Sequence, residues 1–181
     1  VCAMWDEGVA VRGAAGAAKV YWDQVAEFGR TYLADAEGTA RIAQLGEKII
    51  AETATVGLPM YAGWRAMPLS SDAPARALQV MFVLRELRGD VHFNALANSG
   101  ITPVEAHMLH AGRDYTMMFG WPEPFADGSD KKDRYAEVER ATNRRMTEIF
   151  DAALDSDEAE ELARLCTGVL QRLKADAPPA G

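Results

Sequence analysis

The histidines of this chain, three in all, fall in one short window as His92, His107 and His110, with Glu86, Asp90 and Glu105 among them. Imidazoles and carboxylates at this density admit two chemistries. They can ligate a divalent cation through nitrogen and oxygen, or hydrogen-bond base edges and phosphates of a nucleic acid. His107 and His110 are three apart, so on a helix both rings reach one side. Neither a His-Glu-x-x-His run nor a cysteine-based ligand pattern accompanies them, so no metal and no cofactor is expected. Arg85, Glu86, Arg88 and Asp90, with His92 beside them, make a second polar group. Burying such charges costs several kcal/mol unless each is paired. Their alternating signs therefore suit a structural ion-pair lattice, with ligand contact as the other use.

Two short helices and a tight turn must position these groups. Asp90 can cap a first helix with Val91, Ala95 and Leu96 on its inner face. Asn98-Ser99-Gly100 breaks it, since Gly100 takes left-handed backbone that other residues resist. Ile101 plugs the corner. Thr102, Pro103 and Glu105 spell an N-cap, a first-turn proline and the third-position acid of a capping box. Val104, Met108 and Leu109 face inward on the second helix. Helix, glycine turn, helix is the helix-turn-helix shape. In that use Thr102, Glu105, His107, His110 and Arg113 would meet double-stranded DNA. Charge speaks against it: from Arg85 to Asp114 three arginines stand against Glu86, Asp90, Glu105 and Asp114, where groove readers carry positive faces. A negative or buried face along Thr102 to Arg113 would remove groove binding.

The remaining chain reads as helix almost throughout. Val1 to Val11 ends a helix broken at Arg12-Gly13, and Ala14 to Ala36 carries a stripe of Val20, Tyr21, Val25, Phe28, Tyr32 and Leu33 at helical spacing. The small-residue run from Gly13 to Ala18 lacks the following Lys-Ser/Thr of a phosphate loop, which leaves close helix packing. Thr39 to Thr55 is a helix. Gly57 to Asp72 is the longest irregular segment, and its Met60, Tyr61 and Trp64 either line a ligand pocket or pin a linker to the core. Ser71 or Asp72 caps a buried central helix from Ala73 to Leu87. Arg113 to Phe119 is short and helical, and Pro122 to Ser129 is loop. The helix from Asp130 to Leu154 places Tyr135, Val138, Thr142, Met146, Ile149 and Phe150 on one side, near a heptad, which suits a subunit interface. Asp155 to Asp157 caps the last helix, and a frayed tail follows from Ala175.

Composition bounds the rest. The chain has 181 residues and a formal net charge of -8, which disfavours loose, charge-driven binding to nucleic acid or anionic lipid. The basic cluster Lys131, Lys132, Arg134, Arg140, Arg144 and Arg145 is diluted by Asp130, Asp133, Glu137 and Glu139. Cys2 and Cys166 form no framework and fit a reducing cytoplasm. No apolar run approaches the roughly eighteen residues of a membrane helix. No serine sits in a nucleophile elbow and neither cysteine has a histidine close in sequence, so no enzymatic activity is expected.

The segment ARALQVMFVLRELRGDVHFNALANSGITPVEAHMLHAG, with GLPMYAGWRAMPL before it and FGWPEP after it, resembles a group of bacterial helix-turn-helix proteins placed near MarR-type winged-helix regulators. The specific residues are Arg85, Glu86, Arg88, Gly89, Asp90 and His92, then Glu105, His107 and His110. The resemblance implies a DNA-binding transcriptional regulator; a small-molecule effector would bind between the early helices and the Gly57 to Asp72 loop, and the near-heptad late helix with the terminal helix would make a homodimer. Members carry a further helical segment ahead of Val1. One departure stands out: Trp121 to Asp130 has too few β-branched residues for a two-stranded wing. The expectation is an all-α protein with a MarR-like helix-turn-helix and a reduced or absent wing. Residues 1–72 form an N-terminal helical part, 73–130 the core and 131–181 the long and C-terminal helices. The alternative use is a ligand-binding or interaction module without DNA binding.

Overall fold

The computed structural model describes residues 2–176, and they form helices joined by short turns, with no strand among them. In order these are α1 (Cys2–Tyr32), α2 (Thr39–Glu52), α3 (Pro59–Arg65), α4 (Ala73–Ala97), α5 (Pro103–Met118), α6 (Lys132–Ala153) and α7 (Ser156–Asp176), with one 3₁₀ turn at Ser129–Lys131. The all-α expectation holds. Backbone geometry leaves the helix at Gly13 inside α1, where the break was expected. The expected frayed tail begins two residues inside α7 and otherwise lies outside the described residues.

α4 is the axle of the molecule: α1, α2, α3 and α6 all pack on it. Ala77, Val80, Val83 and Leu87 are fully enclosed along one side of it, while Leu78, Met81, Phe82 and Leu84 pack partly buried against the same core, so apolar contact reaches beyond a single stripe. Asp72 caps it, its Oδ1 accepting from Ala75 N at 3.1 Å, and Pro74 occupies the first turn. The main core joins Trp22 and Leu33 to Ile42, Leu45 and Ile49 of α2, Tyr61 of α3, and Leu162, Leu165 and Val169 of α7. Each such side chain is worth roughly 1.5–3 kcal/mol of burial.

Three expectations are corrected. The central helix does not stop near Leu87 for Asp90 to cap a new one; α4 runs through to Ala97. Asp90 is buried in its middle, and its Oδ2 accepts the Tyr61 backbone N–H at 2.8 Å. A partner from a distant segment satisfies the carboxylate that local sequence offered as a cap. Second, the irregular segment holds a short helix, α3, started at Pro59. Third, the α6 stripe is consumed within the chain. Val138 joins a small second core with Leu96, Ile101 and Ala106, while Ile149, Met146 and Phe150 join the main one. Helical spacing reveals that a face is buried, not what buries it.

Candidate functional site

The corner at Gly100 forms as its sequence requires, with φ at +73°. Thr102 caps α5: its Oγ1 accepts from Glu105 N at 3.4 Å, and Glu105 Oε2 accepts from Thr102 N at 2.8 Å. This reciprocal pair is the capping box expected. α5 is interrupted at Gly112, where φ is +79° and ψ is -165°. The unit is therefore α4, the Gly100 turn, the first arm of α5, the Gly112 break and a second arm from Arg113 to Met118.

Ile101, Ala106 and Leu109 seat the first arm on α4 and α6, leaving Thr102, Pro103, His110 and Arg113 exposed and His107 half-buried. Glu105 is turned in and enclosed. Lys131 Nζ donates to both its oxygens, at 2.6 and 2.7 Å. With that ammonium and the Thr102 donors on it, the carboxyl is held down to about 2. Glu105 is thus a fastener between α5 and the start of α6, while the other DNA-facing candidates reach solvent.

His107 sits within a ring of aromatic side chains. Trp121 Nε1 donates to His107 Nδ1 at 3.1 Å, which places the imidazole proton on Nε2 when the ring is neutral. Phe119 lies 4.5 Å from the His107 ring centroid and Tyr115 5.5 Å, and Tyr115 is also 5.4 Å from His110. The four-residue spacing of Tyr115 and Phe119 was the available signal. Met117, Met118, Phe119 and Trp121 all remain exposed, Met118 at 69%.

The second polar group divides into three. Arg85 pairs with Glu86 on the surface. Asp90 holds α3. Arg88 and His92 converge on Glu139 of α6, at 3.0 and 3.5 Å, with Thr142 Oγ1 3.3 Å from His92 Nδ1. Burial lowers the His92 pKa; Glu139 opposes this, and Arg88 and His110 reinforce it. Glu139, unselected by sequence, is the shared acceptor. The three histidines do not converge, and no group of three or more His, Cys, Asp or Glu among the described residues is arranged to hold a metal.

The candidate pocket residues separate too. Tyr61 is fully enclosed, its hydroxyl donating to Ile50 O at 2.9 Å. Trp64 stacks on Trp22 at 5.8 Å and meets Phe82 edge-on at 5.0 Å. Met60 Cε packs over Gly89, 3.4 Å from where a Cβ there would stand. The segment pins itself to the core.

The basic residues beside the corner are largely occupied. Lys131 holds Glu105, Arg134 Nη1 donates to Ser99 O at 3.3 Å, Arg140 and Arg144 share Glu137, and Arg145 holds Glu148. Arg113, the one arginine of α5, pairs with Glu123 at 2.9 Å. No helix among the described residues is long and apolar enough to cross a membrane.

Compared with known proteins, residues 1–131 match the model of a helix-turn-helix family. That span takes in α1 through the 3₁₀ turn and stops before α6. No curated protein and no solved structure matches the chain.

Proposed function

This chain belongs to a helix-turn-helix family, and from that premise we propose that it works as a helix-turn-helix interaction module, engaging an apolar protein surface through α5 rather than entering duplex DNA. One observation carries the reading. The solvent side of α5 and its sequel is aromatic and methionine-rich, with Met117, Met118, Phe119 and Trp121 exposed, and its single arginine is already paired with Glu123. Affinity for duplex DNA rests on cations free to replace phosphate counterions. Clustered exposed apolar side chains favour a protein partner instead, and methionine adapts to uneven surfaces.

A second reading, a DNA-binding transcriptional regulator, is favoured by the family and by Lys131 and Arg134, which reach the Gly100 turn. MarR-type kinship would add a wing, for which residues 121–130 provide no strand.

A gel-shift titration across a range of salt separates the two. The module should retard DNA from upstream of its own gene no better than random duplex, and a photo-crosslinking residue at Met118 should capture protein. Clear preference for the upstream duplex, weakened by Arg113→Ala, would establish the regulator in its place.

A further inference from the structure

A cleft of about 660 Å³ opens between the carboxyl end of α2, residues 53–58, the last turns of α4 and the second half of α6. That volume suits a small organic molecule. Space is left because four of its wall positions are alanines, Ala54, Ala95, Ala141 and Ala152. Leu58, Val91 and Ile149 make the floor apolar, and Val56, 92% exposed, stands at the rim. The wall of residues 53–58 is fixed in place: Asn94 Nδ2 donates to Gly57 O at 2.8 Å.

The charged lining of the cleft carries an excess of carboxylate, Glu52 and Glu148 against Arg145. Asn94 and Asn98 each direct one amide N–H at a backbone carbonyl, Gly57 O and Asn94 O, which leaves each amide oxygen available to accept from an incoming group. Arg145 pairs with Glu148 at 2.8 Å, and these two charges offset. Glu52, exposed on the same wall, adds a further carboxylate. α2 ends at Glu52, α4 at Ala97 and α6 at Ala153, so three helix carboxyl ends border the space, each a partial negative charge. Arg65 answers only the Thr53 carbonyl, at 2.7 Å.

We propose that this cleft binds a small amphipathic amine, its protonated nitrogen against Glu52 and the asparagine oxygens and its apolar body over Ala95, Ala141 and Ile149. The site lies apart from the α5 surface and does not depend on how that surface is used. An anion of the same shape meets Glu52, Glu148 and three helix carboxyl ends, with Arg145, already paired to Glu148, as the one cation of the lining.

The test uses the whole chain and two dyes sharing one fluorophore, dansylcadaverine, cationic at neutral pH, and dansylglycine, anionic. Dansylcadaverine should give a saturable, one-to-one rise in emission, with dansylglycine binding about tenfold more weakly or worse. Ala141→Leu and Ala152→Leu fill the cleft and should each weaken dansylcadaverine about tenfold. Ala152 is exposed, so its variant keeps the test intact should Ala141→Leu fail to fold by circular dichroism. Glu52→Gln should weaken it about threefold, the scale of one exposed charge contact. Absence of saturable binding, equal binding of the two dyes, or wild-type affinity in a folded leucine variant would each overturn the proposal.

Discussion

Lys131 Nζ lies 2.6 Å from one oxygen of Glu105 and 2.7 Å from the other, and this contact fastens α5 to the body of the protein. With Thr102 donating as well, the carboxyl is held at about 2 against an ordinary 4.5. A depressed carboxylate contributes stability that is fully present above its unfolded pKa and is lost as pH falls through the folded one. In urea unfolding, stability should therefore decline between about pH 5 and pH 2. Lys131→Met removes the largest cause of the shift and should flatten part of that decline while lowering stability at neutral pH. An unchanged acid slope in the variant would separate the ion pair from the effect.

His92 acts in a different window. Burial keeps its folded pKa below 6.5, so the unfolded chain takes up the proton first. Its contribution is complete above 6.5 and is lost as pH falls through the lower folded value. Thermal melts of His92→Gln should lose slope between about pH 7 and pH 5 relative to wild type, without change in the more acidic Glu105 limb. Equal slopes in that window would place the titration elsewhere.

Asp90 separates packing from hydrogen bonding. Its Oδ2 accepts from Tyr61 N in the interior. Asp90→Asn retains an acceptor there, whereas Asp90→Ala leaves a buried N–H unpaired, at about 1–3 kcal/mol. Denaturant midpoints should order wild type, Asn, Ala, and hydrogen exchange at Tyr61 should rise only in the alanine variant.

These residues mark what was legible in advance. Gly100, Thr102 and Glu105 were readable because a turn and its cap are set by neighbours within a few residues. Asp90 and the α6 stripe were not, because their partners, Tyr61 and the helices α2 and α4, come from distant sequence. The site was half legible. Thr102, His110 and Arg113 reach solvent, but sequence could not reveal that Glu105 would be neutralised by Lys131. The spacing of Tyr115 and Phe119 hinted at an aromatic face, but the break at Gly112 and the fold-back of Trp121, which bring these rings onto His107, lie beyond local spacing.

Gly29 allows α1 to meet the start of α4. A Cβ there would sit 2.7 Å from Pro74 O and 2.8 Å from Ala75 Cα, and backbone cannot give way as a side-chain tip can. Gly29→Ala should cost about 1–3 kcal/mol by overpacking. Gly8→Ala is the control, since a Cβ there meets nothing within 4 Å, and its midpoint should stay level or rise slightly.

The stripe on α6 offers the sharpest contrast between an internal seam and a subunit interface. Ile149 and Val138 are buried against the chain's own α2 and α4, so their burial belongs to the folding of one copy. Ile149→Ala should lower unfolding free energy by about 2–4 kcal/mol, the usual cost of a large-to-small change in a core. Were the stripe a dimer seam, the loss would shrink or grow with protein concentration, because a subunit interface stabilises by mass action. An internal seam makes the difference between variant and wild type the same at micromolar and at hundredfold higher concentration. A loss that varies with concentration would return α6 to the interface and require Ile149 to face a second copy.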